Sequence, residues 1–192
     1  MPLPVTPIDL EPLRAPRPHR ADAARNFDAV LDAAREVFTD RGFDAPLEDV
    51  AARAGVGIAT LYRNFPTREV LVENVYIVEI QAVIAEVGAS LKLPPWEGLV
   101  RWLRYFVEYL GTKRAIATAI DPGSAVYRAC GVALAEAGTP LLRRAQASGE
   151  VRADIDDDDI GRYIIGGAAM NFSSEQQRQR LLSVLFDGLR TR

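Results

Sequence analysis

The side chains best suited to meet a charged or hydrogen-bonding partner are gathered between Thr60 and Asn64. Thr60 and Tyr62 carry hydroxyls, Arg63 a guanidinium and Asn64 an amide. Hydroxyls bond phosphate oxygens, and an amide bonds either phosphate or a base edge. Just before them stands Gly55-Val56-Gly57, and Leu61 and Phe65 supply apolar positions at helical spacing. Two short helical patterns around a glycine-bounded turn, the second polar at its tip, predict a helix-turn-helix over Leu47–Arg68. The second helix of such a motif can lie in a DNA major groove. From Ala52 to Arg68 there are three arginines, Arg53, Arg63 and Arg68, and no acid. A net charge of −3 argues against a general nucleic-acid binder, but a local cationic face is enough for a phosphate footprint.

The other candidate groups point to packing or capping. Asp156-Asp157-Asp158-Asp159 has no metal-binding loop spacing, and acids at a helix start complement its dipole and cap its N–H groups. His19 is the only histidine and lies in a proline-rich stretch, so no Ser-His-Asp or Cys-His arrangement is expected within one folded body. Cys130, the only cysteine, sits in an apolar helix as a small core residue, which fits a reducing, cytoplasmic setting. No Gly-rich loop follows a strand. No enzyme, metal or cofactor is expected.

The elements that must position these groups are helical. Composition is ordinary for a folded protein, with 48% hydrophobic and 26% charged residues, rich in alanine and poor in β-branched runs. No run approaches the roughly 18 apolar residues of a membrane span, and no secretory signal is expected at the N-terminus. Residues 1–22 hold Pro2, Pro4, Pro7, Pro12, Pro16 and Pro18 and predict a disordered arm, whose Arg14, Arg17 and Arg20 are candidates for phosphate or minor-groove contact. Residues 23–66 predict three helices. The first carries Phe27, Val30, Leu31, Ala34, Val37 and Phe38 on one stripe and ends at Gly42; Pro46 opens the second. Residues 67–192 form the second body. Its connecting helix, 67–90, starts at the N-cap Thr67 and is apolar on almost every side.

Beyond Pro94-Pro95 the helix from Trp96 to Leu110 has aliphatic residues along most of its apolar arc and gathers Trp102, Tyr105, Phe106 and Tyr109 at one edge. Such an edge suits a ligand cavity, with Tyr127 and Cys130 as further lining candidates. A short helix is expected over residues 112–120, then a longer one over 124–148, irregular near Gly138-Thr139-Pro140. In the last helix, apolar residues including Leu182, Leu185, Phe186 and Leu189 cover about 200° of the wheel, too wide for one neighbour. With Ile164, Gly167 and Ala168 of the preceding helix they predict a self-complementary dimer contact.

The stretch AREVFTDRGFDAPLEDVAARAGVGIATLYRNFPTREVL resembles the TetR family of transcriptional regulators, over about Phe27 to Tyr76. The GIATLYRNFPTRE variant and the Trp96-Glu97 helix start are similar to the SbtR-like branch. The resemblance implies an all-α homodimer with an N-terminal three-helix DNA-binding unit, followed by a helical ligand-binding and dimerisation domain whose last two helices pair with the partner's. It implies a repressor that leaves a palindromic or pseudo-palindromic double-stranded operator when a small-molecule effector binds. By position, the family's groove-facing residues fall on Gly57, Ile58, Ala59, Thr60, Tyr62 and Asn64, with Arg53, Arg63 and Arg68 as nearby cations. Gly57-Ile58-Ala59 is poor in hydrogen-bonding groups, so base readout is expected to lean on Arg53 or Asn64 and on DNA shape. The same bland tip leaves open a second reading: a small-molecule-binding or interaction protein of this fold without specific operator binding.

Overall fold

The computed structural model describes residues 9–112, 119–168 and 173–191. Among these, a 3-10 turn at Glu11–Leu13 precedes eight helices: α1 (Ala21–Arg41), α2 (Leu47–Arg53), α3 (Ile58–Asn64), α4 (Arg68–Ser90), α5 (Pro95–Thr112), α6 (Ala125–Ala147), α7 (Asp157–Ala168) and α8 (Glu175–Leu189). The one β contact among the described residues is an isolated antiparallel bridge between Val151 and Arg190. The chain forms two compact units. The first holds the described residues up to 81 and those between 112 and 132; the second holds residues 82–111 and those from 133 onward. The helix expected over residues 112–120 lies mostly outside the described residues.

In the first unit the stripe on α1 is the core face. Phe27, Val30, Leu31, Ala34, Val37 and Phe38 are all buried. Phe27 meets Phe65 with ring centroids 4.7 Å apart, so the residue after α3 closes onto the start of the fold. Gly42, at φ +81°, ends α1 with its N–H on the Phe38 carbonyl, a conformation that glycine adopts without steric cost.

Three polar residues are buried on the apolar α4: Asn74, Glu79 and, at its end, Ser90. Glu79 takes a hydrogen bond from Arg35 Nε at 2.7 Å, which supplies the partner that a buried carboxylate needs. Asn74 donates to the Val70 carbonyl and accepts the Ala15 N–H at 2.8 Å. This last bond corrects the expectation of a disordered arm up to residue 22. From Asp9 onward the chain is docked: Leu10 is buried, Asn74 holds Ala15, and Arg17 forks onto Asp28 at 2.8 and 2.6 Å. Prolines forbid a helix there, but they do not prevent an extended strap anchored by one leucine.

In the second unit, Leu99, Leu103, Leu141 and Leu142 form the centre of the core. α6 continues through Pro140 without the expected irregularity. Proline removes one helical donor there, and the Thr139 hydroxyl bonds both the Ala135 carbonyl and Asp157 Oδ2 at that turn. Asp156 and Asp159 cap α7 reciprocally, each accepting the other's N–H at 3.0–3.1 Å, and Asp158 pairs with Arg162. The acidic run is thus used up as a helix start. The C-terminus is held by a ladder of rings and cations. Arg190 lies 4.5 Å over Trp96, Trp96 meets Phe186 edge-on, and Arg104 lies 4.8 Å over Phe186. Among the described residues no helix is long and apolar enough to cross a membrane, and no group of three or more His, Cys, Asp or Glu could hold a metal ion.

Candidate nucleic-acid interface

The turn of the helix-turn-helix is fixed by its backbone. After the α2 C-cap at Ala54, Gly55 takes φ +69°, and Val56 N–H reaches back to the Ala51 carbonyl at 3.0 Å while Gly55 N–H reaches Ala52. This six-to-one bond with glycine in the left-handed region is a Schellman ending, and a side chain at 55 would strain it. Gly57 then caps α3 in an extended conformation, with open space around it and no side-chain cap. The Thr60 and Leu61 N–H groups both settle on its carbonyl.

This framing orients α3. Leu61 and Phe65 are fully buried, whereas Ala59, Tyr62 and Arg63 are exposed and Ile58, Thr60 and Asn64 are half-buried. Tyr62 is 44% exposed. The Asn64 amide Nδ2 turns back to donate to the Thr60 carbonyl at 3.0 Å, which leaves its oxygen without a partner among the described residues. The polar groups predicted to meet DNA therefore share the outer side of one short helix, and the two apolar ones face the core.

The three arginines separate. Arg63 is exposed and has no hydrogen-bond or ion-pair partner among the described residues. Arg53 is exposed but turned to α1, with Nη1 donating to Glu36 Oε2 at 2.6 Å and Nη2 lying 4.0 Å from Asp40. Arg68 is half-buried, and its Nη1 donates to the carbonyls of Phe43 and Ala45 at 2.6 and 2.9 Å. Two of the three expected phosphate cations are thus engaged within the protein. Glu36 and Asp40, four apart on one face of α1, carried the sequence signal for the first engagement. Backbone acceptors leave none for the second. In the arm, Arg14 pairs with Glu11 and Arg17 with Asp28, and Arg20 has no partner among the described residues.

Comparison with known proteins now decides the family. The profile "Bacterial regulatory proteins, tetR family" matches residues 30–75, and "Transcriptional regulator SbtR-like, C-terminal domain" matches residues 94–191. The chain belongs to the TetR family of transcriptional regulators. A TetR transcriptional regulator from Streptomyces coelicolor is 39% identical, with a TM-score of 0.65 over 85% of this chain and 98% of that one. A TetR regulatory protein from Mycobacterium vanbaalenii is 31% identical, with a TM-score of 0.66 over 91% of this chain and 100% of that one. A gamma-butyrolactone receptor described as ArpA-like shares the fold at 19% identity, with a TM-score of 0.62 over 88% and 90% of the two chains. No curated protein matches in sequence. The helix-turn-helix of this TetR-family chain is its DNA-binding element, and the SbtR-like branch is that of its C-terminal domain.

The candidate lining residues fall into two clusters. In the first unit Tyr127 stacks on Tyr76, with centroids 6.0 Å apart and planes within 10°. Tyr76, on α4, is buried and was not anticipated; its phenol is raised above the ordinary range chiefly by burial. Cys130 is fully buried, and burial first, then the negative charge of Glu73, push its thiol up to about 12. In the second unit Trp102 stacks on Phe106 at 5.8 Å, donates its indole N–H to the Val83 carbonyl at 3.2 Å, and rests against Gly138. That is a filled core position. Tyr109 is buried too, and Tyr105 is exposed.

The expected dimer residues divide in the same way. Ile164, Leu185, Phe186 and Leu189 are buried within the protomer, Leu182 is half-buried, and the surroundings of Gly167 and Ala168 lie outside the described residues. What α7 and α8 expose instead is Tyr163, Leu181 and Val184, with Gly166 and Gly188 facing open space.

Proposed function

We propose that this TetR-family regulator is a homodimeric repressor that binds a palindromic or pseudo-palindromic operator and is released from it by a small-molecule effector. The observation that carries the DNA half of this reading is the sorting of α3, with Leu61 and Phe65 in the core and Thr60, Tyr62, Arg63 and Asn64 outward. Tyr62 and Thr60 bond phosphate, Arg63 pairs with it, and the Asn64 oxygen accepts from phosphate-bound water or a base amine. Gly57 and Ala59 offer no side-chain donors, so shape and deformability of the duplex carry much of the discrimination.

The dimer half rests on the apolar face left uncovered on the last two helices. Leu181, Val184 and Gly188 recur at i, i+3 and i+7 on α8, and Tyr163 and Gly166 at i, i+3 on α7. Glycines that meet nothing allow close approach of a partner helix. The effector is supported by the apolar and aromatic composition of the second body and by family membership.

Selection from a random duplex library with the purified chain tests this reading. The enriched sequence should be two-fold symmetric, with half-site centres about 34–36 Å apart. Tyr62→Ala should weaken binding to it by about a hundredfold, since one phosphate contact worth about tenfold is lost from each of two protomers. Enrichment of an asymmetric sequence would remove the dimeric reading. The poverty of the Gly57-Ile58-Ala59 tip favours a second reading, an effector-binding protein without a specific operator, and enrichment of no sequence at all would establish it in place of the first.

A further inference from the structure

The three arginines of the helix-turn-helix do different jobs, and one does its job at a distance. We infer that Arg68 is a positioning residue for DNA recognition, acting through the α1–α2 connection, and that Arg63 is the arginine of this motif that meets phosphate. The connection, residues 42–46, is short and tightly made. It leaves α1 through Gly42 in the left-handed region, bonds Ala45 N–H to the Gly42 carbonyl at 3.3 Å, packs Phe43 on Phe38 with centroids 4.6 Å apart, and enters α2 at Pro46. Neither the Phe43 nor the Ala45 carbonyl accepts from a backbone N–H among the described residues.

Both carbonyls accept from one atom, Nη1 of Arg68. Half-buried carbonyls need a donor, and a guanidinium is a strong one. Arg68 is the first residue of α4 and follows the end of α3 by four residues. Its side chain therefore ties the exit of α3 to the entrance of α2. The motif is closed at its open end by this tie, as it is closed at its turn by Gly55. With Nη1 committed inward and the side chain half-buried, Arg68 is poorly placed as a free phosphate ligand. Arg63 is exposed and has no partner among the described residues.

Salt dependence separates the two roles. Each phosphate-neutralising cation contributes about 0.9 to the slope of log affinity against log salt, so a pair of protomers loses about 1.8 when one such cation is removed from each. A positioning residue instead lowers affinity for the preferred duplex at every salt concentration and leaves the slope alone. The full-length chain and the duplex it enriches from a random library are the materials, with a scrambled duplex beside it and circular dichroism to show that each variant is folded. Arg63→Gln should lower the slope by about 1.8. Arg68→Met should keep the parent slope, lose about tenfold on the enriched duplex, and lose much less on the scrambled one. Arg68→Lys should restore most of the difference, because a single nitrogen makes both bonds.

Three results would overturn the assignment: a slope lowered by Arg68→Met as much as by Arg63→Gln, unchanged affinity of Arg68→Met for the enriched duplex, or Arg68→Lys behaving as Arg68→Met. The proposal rests on sequence-specific binding. Failure to enrich any duplex would remove both, whereas an enriched duplex indifferent to Arg68 removes this assignment alone.

Discussion

Gly138 and Gly131 lie seven residues apart in α6, and the same change to alanine at each should move stability in opposite directions. A Cβ at Gly131 meets nothing within 4 Å, whereas a Cβ at Gly138 would sit 2.5 Å from Trp102 Cη2 and 2.7 Å from Cζ3. In an exposed helix, glycine to alanine stabilises by roughly 0.5–1 kcal/mol, and this is the whole expectation for Gly131→Ala. At 138 the same gain is set against displacement of a buried indole. Overpacking a core costs about 1–3 kcal/mol. Moving the ring also endangers its 3.2 Å bond to the Val83 carbonyl, whose loss costs about 0.5–1.5 kcal/mol. The balance is a loss of roughly 1–3 kcal/mol for Gly138→Ala. Urea unfolding at fixed protein concentration, followed by circular dichroism and by tryptophan emission, reads both variants; the concentration must be held because a dimer's stability depends on it. If Gly138→Ala proved as stable as Gly131→Ala with unchanged emission, the added methyl would have been accommodated. Trp102 would then border free space, as a cavity-lining residue does, and its placement here as a filled core position would be wrong.

The proposed dimer face makes a second contrast: Val184→Glu, at a position 58% exposed in the protomer, should give a folded monomer by light scattering, whereas Phe186→Glu, buried between Trp96 and Arg104, should lose helical signal as well. A folded dimer from Val184→Glu would place the interface elsewhere. Cys130 should resist a thiol reagent at pH 8 until the protein is unfolded, since its thiol is buried and pushed up to about 12. A group whose folded pKa is raised contributes stability that is complete below its unfolded value and is lost as pH rises. The window for Cys130 therefore runs from its ordinary 9.0 to about 12, with Tyr76 acting in the same direction. Cys130→Ala should flatten the decline in stability over that range, and an unchanged decline would show that the thiol is not its source.

The fold was legible where spacing alone determines it. The stripe on α1, the Gly42 and Gly55 stops, the inward Leu61 and Phe65, and the Thr67 cap all follow from helical periodicity and glycine geometry, and each stands where it was expected. The misplaced features depend on which of several neighbours a side chain meets. Proline content showed that the arm is not helical, but Leu10 and the Asn74 amide decide that it is docked. The 200° apolar arc of α8 indicated more than one neighbour, but did not say which part faces the protomer. Phe186 turns inward because Trp96 and Arg104 receive it, and Val184 is left outside. Aromatic crowding on α5 reads the same for a cavity edge and for a core; the small Gly138 opposite Trp102 distinguishes them.

Arginine count was the weakest guide to the DNA-binding face, for a reason rooted in the side chain. A guanidinium on a long stem can reach acceptors on several sides, and an acidic protein offers many. Glu36 and Asp40 take Arg53, Glu79 takes Arg35, and Asp49 takes Arg41. These pairs fasten α1 to α2 and to α4, so the charge that the sequence concentrates around the motif is largely spent on holding its helices in register. The exposed pairs among them, those of Arg53 and Arg41, each contribute roughly 0–1 kcal/mol, too little to explain the fold, but they turn those cations away from a phosphate footprint. The cation left facing outward on α3 is Arg63, beside a tip of glycine and alanine. A reader with so few charges and so few donors has little grip on arbitrary DNA. On the proposed dimeric reading, two copies engaging together supply the affinity, and the spacing of the half-sites joins the shape of the duplex in deciding where the protein binds.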